Sequence, residues 1–126
     1  MPLWLGFNLW FEAEDGVALS VWRVALLQAV ADTGSISGAA QRMGVQYRVA
    51  WQKIREMEAR LGVRLVRGHT GGAGGGGAKL TSEAEELVRR FCTLSDGLTE
   101  HIRALATECF PEFLERDPAC DNEPLP

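Results

Sequence analysis

Three runs decide the fold: Gly34-Ser35-Ile36-Ser37-Gly38-Ala39-Ala40, then Tyr47-Arg48-Val49-Ala50-Trp51, then Thr70-Gly71-Gly72-Ala73-Gly74-Gly75-Gly76-Gly77-Ala78-Lys79-Leu80-Thr81. In the first, Ser37 can cap a helix of about two turns ending at Met43, with Ala39 and Ala40 permitting close helix approach. Gly44 ends it, since a left-handed residue lets the chain turn sharply. The second run opens a longer basic helix from Gln46 to Leu61. The third is the tip of a hairpin whose strands are Arg64–Arg67 and Lys79–Leu80, joined by the loop from Gly68 to Ala78.

On the long helix, Ala50, Ile54, Met57 and Leu61 share one face, which is the core face. Arg48, Gln52, Arg55 and Ala59 fall opposite. Tyr47, Trp51 and Glu58 lie on one flank, and Lys53, Glu56 and Arg60 on the other. Two arginines and a glutamine on one face can hydrogen-bond guanine and adenine edges in a major groove. Arg48 and Gln52 are best placed, because such helices enter the groove by their N-terminal half.

Two helices, a reading helix and a basic hairpin occur in the order of a winged helix-turn-helix. Six of the eight residues Gly71 to Ala78 are glycine, so the loop tip can touch DNA only through backbone N–H groups. His69, Thr70 and Lys79 at its rim, with Ser35, Ser37, Gln46, Tyr47, Trp51 and Lys53 nearby, are expected phosphate or groove contacts. The wing backbone is Gly71, Gly72, Gly74, Gly75, Gly76 and Gly77. Gly72, Gly74 and Gly77 satisfy the dinucleotide pattern G-x-G-x-x-G, but no βαβ unit surrounds them. A P-loop requires Gly-Lys-Ser/Thr, whereas Lys79 follows Ala78 and precedes Leu80.

Upstream, Leu3 to Ala13 alternates loosely enough to predict a strand, Glu14-Asp15-Gly16 a turn, and Val17 to Leu19 a returning strand. Apolar residues on both faces predict that this hairpin is covered twice. Val21 to Asp32 has helical spacing, with Ser20 as N-cap and Gly34 as stop. Downstream, Ser82 and Glu85 have capping-box spacing. The helix they open carries Leu87, Phe91, Leu94, Leu98, Ile102, Leu105 and Cys109 at steps of three and four, a pairing seam between subunits. Gly97 weakens it by about 1 kcal/mol relative to alanine. The predicted organisation is a DNA-binding unit at 1–81, a dimerisation helix at 82–110 and a disordered acidic tail at 111–126.

The net charge of -4 is unevenly spread. Residues 1–40 carry -3, residues 41–79 carry +6, and residues 80–126 carry -7. Phosphates respond to that local field rather than to the total. Cys92, Cys109 and Cys120 have no zinc spacing and form no disulfide framework, which predicts a reducing cytoplasm. The apolar N-terminus lacks a basic leader and is too short to span a bilayer, so no membrane association is expected. Neither His69 nor His101 has a nucleophile or ligand partner. The sequence therefore predicts a non-enzyme without metal or cofactor.

At these three runs the chain resembles the N-terminal DNA-binding domain of the molybdate-responsive regulator family ModE. The similarity rests on Gly34-Ser35-Ile36-Ser37 with Ala39-Ala40, on Tyr47-Arg48 with Ala50-Trp51, and on Thr70 through Thr81. It covers roughly residues 3 to 110, and the glycine wing is its most specific part. The first half, through Leu61-Gly62-Val63-Arg64-Leu65, also looks like a LysR-type reading head, but the wing and the Tyr-Arg-x-Ala-Trp segment decide against that in favour of ModE. The resemblance implies a mainly α fold with a small β component, and a homodimer built on the long C-terminal helices and the N-terminal hairpin. It also implies an inverted-repeat operator and a link to molybdenum metabolism. Gln46 stands where the family commonly has serine, which bears on base preference. The chain ends at Pro126, too early for the oxyanion-binding domains of full-length members, so molybdate sensing is not expected of it.

The expected function is sequence-specific transcriptional regulation on double-stranded DNA. One alternative is a partner subunit forming mixed dimers with a full-length ModE-type regulator. Another is a small oxyanion-binding protein using the glycine N–H groups as an anion nest.

Overall fold

The structure, a computed structural model, describes residues 3–69 and 76–112. A hairpin of β1 (Trp10–Ala13) and β2 (Gly16–Ser20) leads into α1 (Val21–Thr33), α2 (Ile36–Met43) and α3 (Tyr47–Leu61). A second antiparallel hairpin, β3 (Val66–His69) with β4 (Gly77–Leu80), precedes α4 (Ser82–Cys109).

The centre of the core is α1. Leu26, Leu27 and Val30 are wholly buried, and Trp22, Arg23, Val24 and Ala29 are buried too. A helix apolar nearly all round must be enclosed. Ala39 and Ala40 of α2, Ala50, Ile54 and Met57 of α3, Val66 and Ala78 of the second hairpin, and Phe91 of α4 all join the same cluster. The small residues of α2 bring it against α1 as the sequence predicts. Gly44 closes α2 at φ +68° and donates its N–H back to the α2 carbonyls. A side chain at that φ would meet the following carbonyl, so glycine suits the tight turn.

Several boundaries differ from expectation. Residues 3 to 9 form no strand; the first strand begins at Trp10, with a bulge between Phe11 and Glu12. Leu9 packs on the core while Leu3, Trp4 and Leu5 are exposed, so the apparent alternation does not mark two sheet faces. Ser35, not Ser37, caps α2: it is extended and its hydroxyl accepts the Gly38 N–H at 2.8 Å. Once Gly34 has ended α1, Ser35 is the next residue free to leave helical geometry, and Ser37 falls inside the first turn.

Thr81, not Ser82, caps α4. Its hydroxyl accepts the Ala84 N–H at 3.1 Å and donates to the Arg64 carbonyl at 2.7 Å, while its own N–H reaches the Leu65 carbonyl at 2.9 Å. A hydroxyl that both donates and accepts can stitch the helix start to the base of the wing; Ser82 lies outside that seam. The wing strands also extend beyond the expected Arg64–Arg67 and Lys79–Leu80, because Gly68 and His69 pair with Ala78 and Gly77.

Phe91 is a further correction. It is buried in its own chain and meets Phe11 edge-on, with ring centroids 6.2 Å apart. Leu87 packs on the core beside it. The part of the α4 stripe not packed into the core therefore runs through Leu94, Leu98, Ile102 and Leu105, of which Leu94 and Leu105 are exposed. The proposed acidic tail lies outside the described residues from 113 onward.

Candidate nucleic-acid interface

The reading helix is held from behind by a carboxylate and two arginines. Arg23, buried on α1, donates to Glu56 at 3.1 Å and to the Lys53 carbonyl at 3.3 Å. Arg60 bonds the carbonyls of Val17 at 2.9 Å and Asp15 at 3.1 Å, and pairs with Glu56 at 3.4 Å. These bonds lock α3 to α1 and to the N-terminal hairpin. Lys53 approaches Glu56 at 3.9 Å and is half-buried, so it joins this rear network, on the flank with Glu56 and Arg60 where the sequence places it, although the sequence also predicts a DNA contact for it.

In front, Arg48, Gln52, Arg55 and Ala59 are exposed, opposite buried Ala50, Ile54 and Met57. No side-chain hydrogen bond or ion pair engages Arg48 or Gln52 among the described residues. Both can meet a ligand without first breaking an internal bond. Arg55 is committed: its guanidinium lies 5.1 Å from the centre of the Trp51 ring and its Nη1 is 3.4 Å from Glu58.

Glu58 faces the wing. Its Oε2 accepts the backbone N–H of Leu65 at 2.8 Å and of Val66 at 3.3 Å, and lies 3.8 Å from Arg64. Between α3, the start of α2 and the wing lies a cleft of about 360 Å³. Ser35, Ser37, Tyr47 and Trp51 line it together with Gly68, Gly76 and Gly77. The wing is pinned to the helix-turn-helix where the Ala78 N–H meets the Gly34 carbonyl at 2.8 Å. Gly77 is needed there, because a Cβ on it would sit 2.8 Å from the Gly34 carbonyl oxygen and 2.6 Å from the His69 ring.

Arg67 and Lys79 are directly opposed across β3 and β4 and both are exposed. Sequence reasoning singles out Lys79 but misses Arg67, although the place of Arg67 in the basic strand is a usable signal. Gln46 is exposed at the N-cap of α3 without a side-chain cap bond. His69 is exposed on β3. Thr70, Gly71, Gly72, Gly74 and Gly75 lie outside the described residues. No group of His, Cys, Asp or Glu among the described residues could hold a metal ion, and no described helix is long and apolar enough to cross a membrane.

A capped two-helix turn, a third helix with an open polar face and a basic hairpin define a winged helix-turn-helix, the fold of DNA-binding domains. The chain belongs to the bacterial regulatory helix-turn-helix proteins of the lysR family, whose family model matches residues 22–85. Its curated relatives are more specific. It is 36% identical over 106 residues to the molybdenum-pterin-binding protein MopB of Rhodobacter capsulatus, covering 84% of this chain and 37% of that protein. It is 42% identical over 73 residues to the transcriptional regulator ModE of Yersinia pestis, covering 58% of this chain and 28% of that one. The chain thus spans well under half the length of these relatives. Among solved structures, the CbnR_DBD–DNA complex is 28% identical with a TM-score of 0.53, covering 67% of this chain and 94% of that one. The ModE and LysR-type resemblances weighed against each other in the sequence are therefore not exclusive. The reading unit is a lysR-family helix-turn-helix, and its more specific kinship is with ModE and MopB.

Proposed function

We propose that this chain is a cytoplasmic, sequence-specific transcriptional regulator of molybdenum-related genes, without catalytic activity, that binds an inverted repeat as a homodimer. The observation that carries it is the open pair Arg48 and Gln52 on the front of a helix braced from behind by Glu56, Arg23 and Arg60. Rigid positioning of free donors is what base reading requires. The name of the MopB relative, a molybdenum-pterin-binding protein, supplies the link to molybdenum.

The exposed part of the α4 stripe supports a two-fold arrangement, in which two reading helices would enter successive major-groove faces. A mixed dimer with a full-length ModE-type regulator would use the same stripe, so co-purification with such a partner separates it from the homodimer. The deciding measurement is a gel shift with its own promoter, molybdenum-gene promoters and random duplex. Preferential binding at low salt is expected, and Arg48→Ala should weaken it by about 1–3 kcal/mol. Equal affinity for random duplex, or none for any duplex, overturns the reading.

A further inference from the structure

Tyr47 and Trp51 stand one turn apart on α3 and remain 54% and 43% exposed. Neither belongs to the core face of the helix, which is Ala50, Ile54 and Met57. Both line the cleft between α3 and the wing, where Gly68, Gly76 and Gly77, which carry no side chain, stand beside Arg64, Val66 and Ala78. The Arg55 guanidinium lies against the Trp51 ring and leaves the rest of the indole open. Large aromatics left exposed side by side mark a contact surface more often than a stray surface residue does.

The surroundings specify the occupant. Arg48 and Gln52 lie on the adjoining face of the same helix, and Arg55 and Arg64 rim the cleft. The carboxylate of Glu58 is already taken up by the wing backbone and by those two arginines. The net field is that of a surface suited to a polyanion. In the major groove of duplex DNA, the apolar feature a base presents is the C5-methyl group of thymine.

We propose that Tyr47 and Trp51 are specificity-determining residues that pack on thymine methyl groups beside the base pairs met by Arg48 and Gln52. The inference rests on the DNA-binding function proposed above and adds to it a second, apolar mode of readout. The operator half-site then carries at least one thymine whose methyl, rather than its hydrogen-bonding edge, is recognised.

The test selects bound duplexes from a random pool with the full chain, then replaces each thymine of the selected site singly by deoxyuridine, which removes only the methyl. At one or more positions affinity should fall about fourfold, the effect of one buried methyl-sized group. That effect should vanish in Trp51→Ala or Tyr47→Ala and persist in Arg48→Ala. Since both aromatics lie outside the core, thermal unfolding should show that the variants remain folded. A selected site in which every deoxyuridine replacement is silent overturns the inference while leaving DNA binding intact. A methyl effect that survives unchanged in both aromatic variants overturns it as well. Failure to enrich any duplex defeats the regulatory function itself, and this inference with it.

Discussion

The carboxylate of Glu58, on the reading helix, accepts the backbone N–H of Leu65 at 2.8 Å, where the chain enters the wing. The same oxygen takes the next N–H, that of Val66, at 3.3 Å. One side chain therefore ties the reading helix to the base of the wing. Glu58→Ala leaves two backbone donors without acceptors in a largely buried place and should cost about 2–3 kcal/mol. Glu58→Gln keeps an accepting oxygen and loses only the pairing with half-exposed Arg55 and Arg64, so its cost should stay below about 1 kcal/mol. Denaturant unfolding of the two variants measures the difference.

Gly77→Ala should loosen the wing from the helix-turn-helix. The added Cβ would meet the Gly34 carbonyl oxygen, a backbone atom that cannot swing aside as a side chain can. The expected loss is about 1–3 kcal/mol, accompanied by faster hydrogen exchange at Ala78, whose N–H bonds that carbonyl. Unchanged exchange at Ala78 would show that this hydrogen bond does not hold the wing.

Acid should weaken the brace behind α3. Desolvation pushes the Glu56 carboxyl up, but the hydrogen bond from Arg23 and the charges of Lys53, Arg23 and Arg60 together outweigh it, so its pKa lies below the ordinary 4.5. A carboxyl whose folded pKa is depressed contributes stability that is complete above its unfolded value and lost as pH falls through the folded one. Unfolding free energy should therefore decline below about pH 4.5. Glu56→Gln should show a shallower decline over that window, together with a lower plateau at neutral pH. Parallel curves for the two proteins would exclude Glu56 as a source of the acid sensitivity.

Arg67 and Lys79 face each other across the wing. Like charges in direct cross-strand register repel, and a phosphate between them would relieve that repulsion. Replacing either with glutamine should reduce the slope of log affinity against log salt by about 0.9 for each phosphate no longer neutralised, and weaken all duplexes to a similar degree. Titration of DNA at several salt concentrations gives the slope, and a wild-type slope in both variants removes the pair from the interface.

Leu94→Glu with Leu105→Glu should yield a folded monomer. Both leucines are 40% or more exposed in the single chain, so the fold does not depend on them. In a paired seam each glutamate would be buried without a partner, and the dimer dissociation constant should rise about a hundredfold or more. Sedimentation at several concentrations measures this. An unchanged dimer would place the subunit interface elsewhere, the exposed Trp10 and Phe11 of the first hairpin being the next surface to vary.

The sequence by itself determined the helices, the turn at Gly44, the exposed polar face of α3 and the basic third of the chain. Those follow from periodicity, from left-handed glycine and from charge order, all of which act over a few residues. It determined the existence of the wing, though not the extent of its strands, because glycines such as Gly68 and Gly77 pair readily but announce no strand.

Tertiary structure decided what local rules leave degenerate. Ser35 and Ser37 are both adequate caps in isolation; the left-handed end of α1 selects Ser35. Thr81 prevails over Ser82 because the Arg64 carbonyl is within reach of its hydroxyl. Lys53 turning toward Glu56 and Arg55 toward Trp51 and Glu58 are contacts one turn apart on α3, whereas Phe91 is covered by its own chain beside Phe11, which helical spacing cannot express. Of the three arginine and glutamine donors that the helical wheel places on the reading face, only Arg48 and Gln52 remain open. Arg55 is drawn off by neighbours on its own helix, whereas the bonds that brace α3 from behind join residues far apart in the chain, such as Arg23 to Glu56 and Arg60 to Val17. They exist only once the helices have packed, because a side chain's partners are set by what the fold brings within about 3 Å of it.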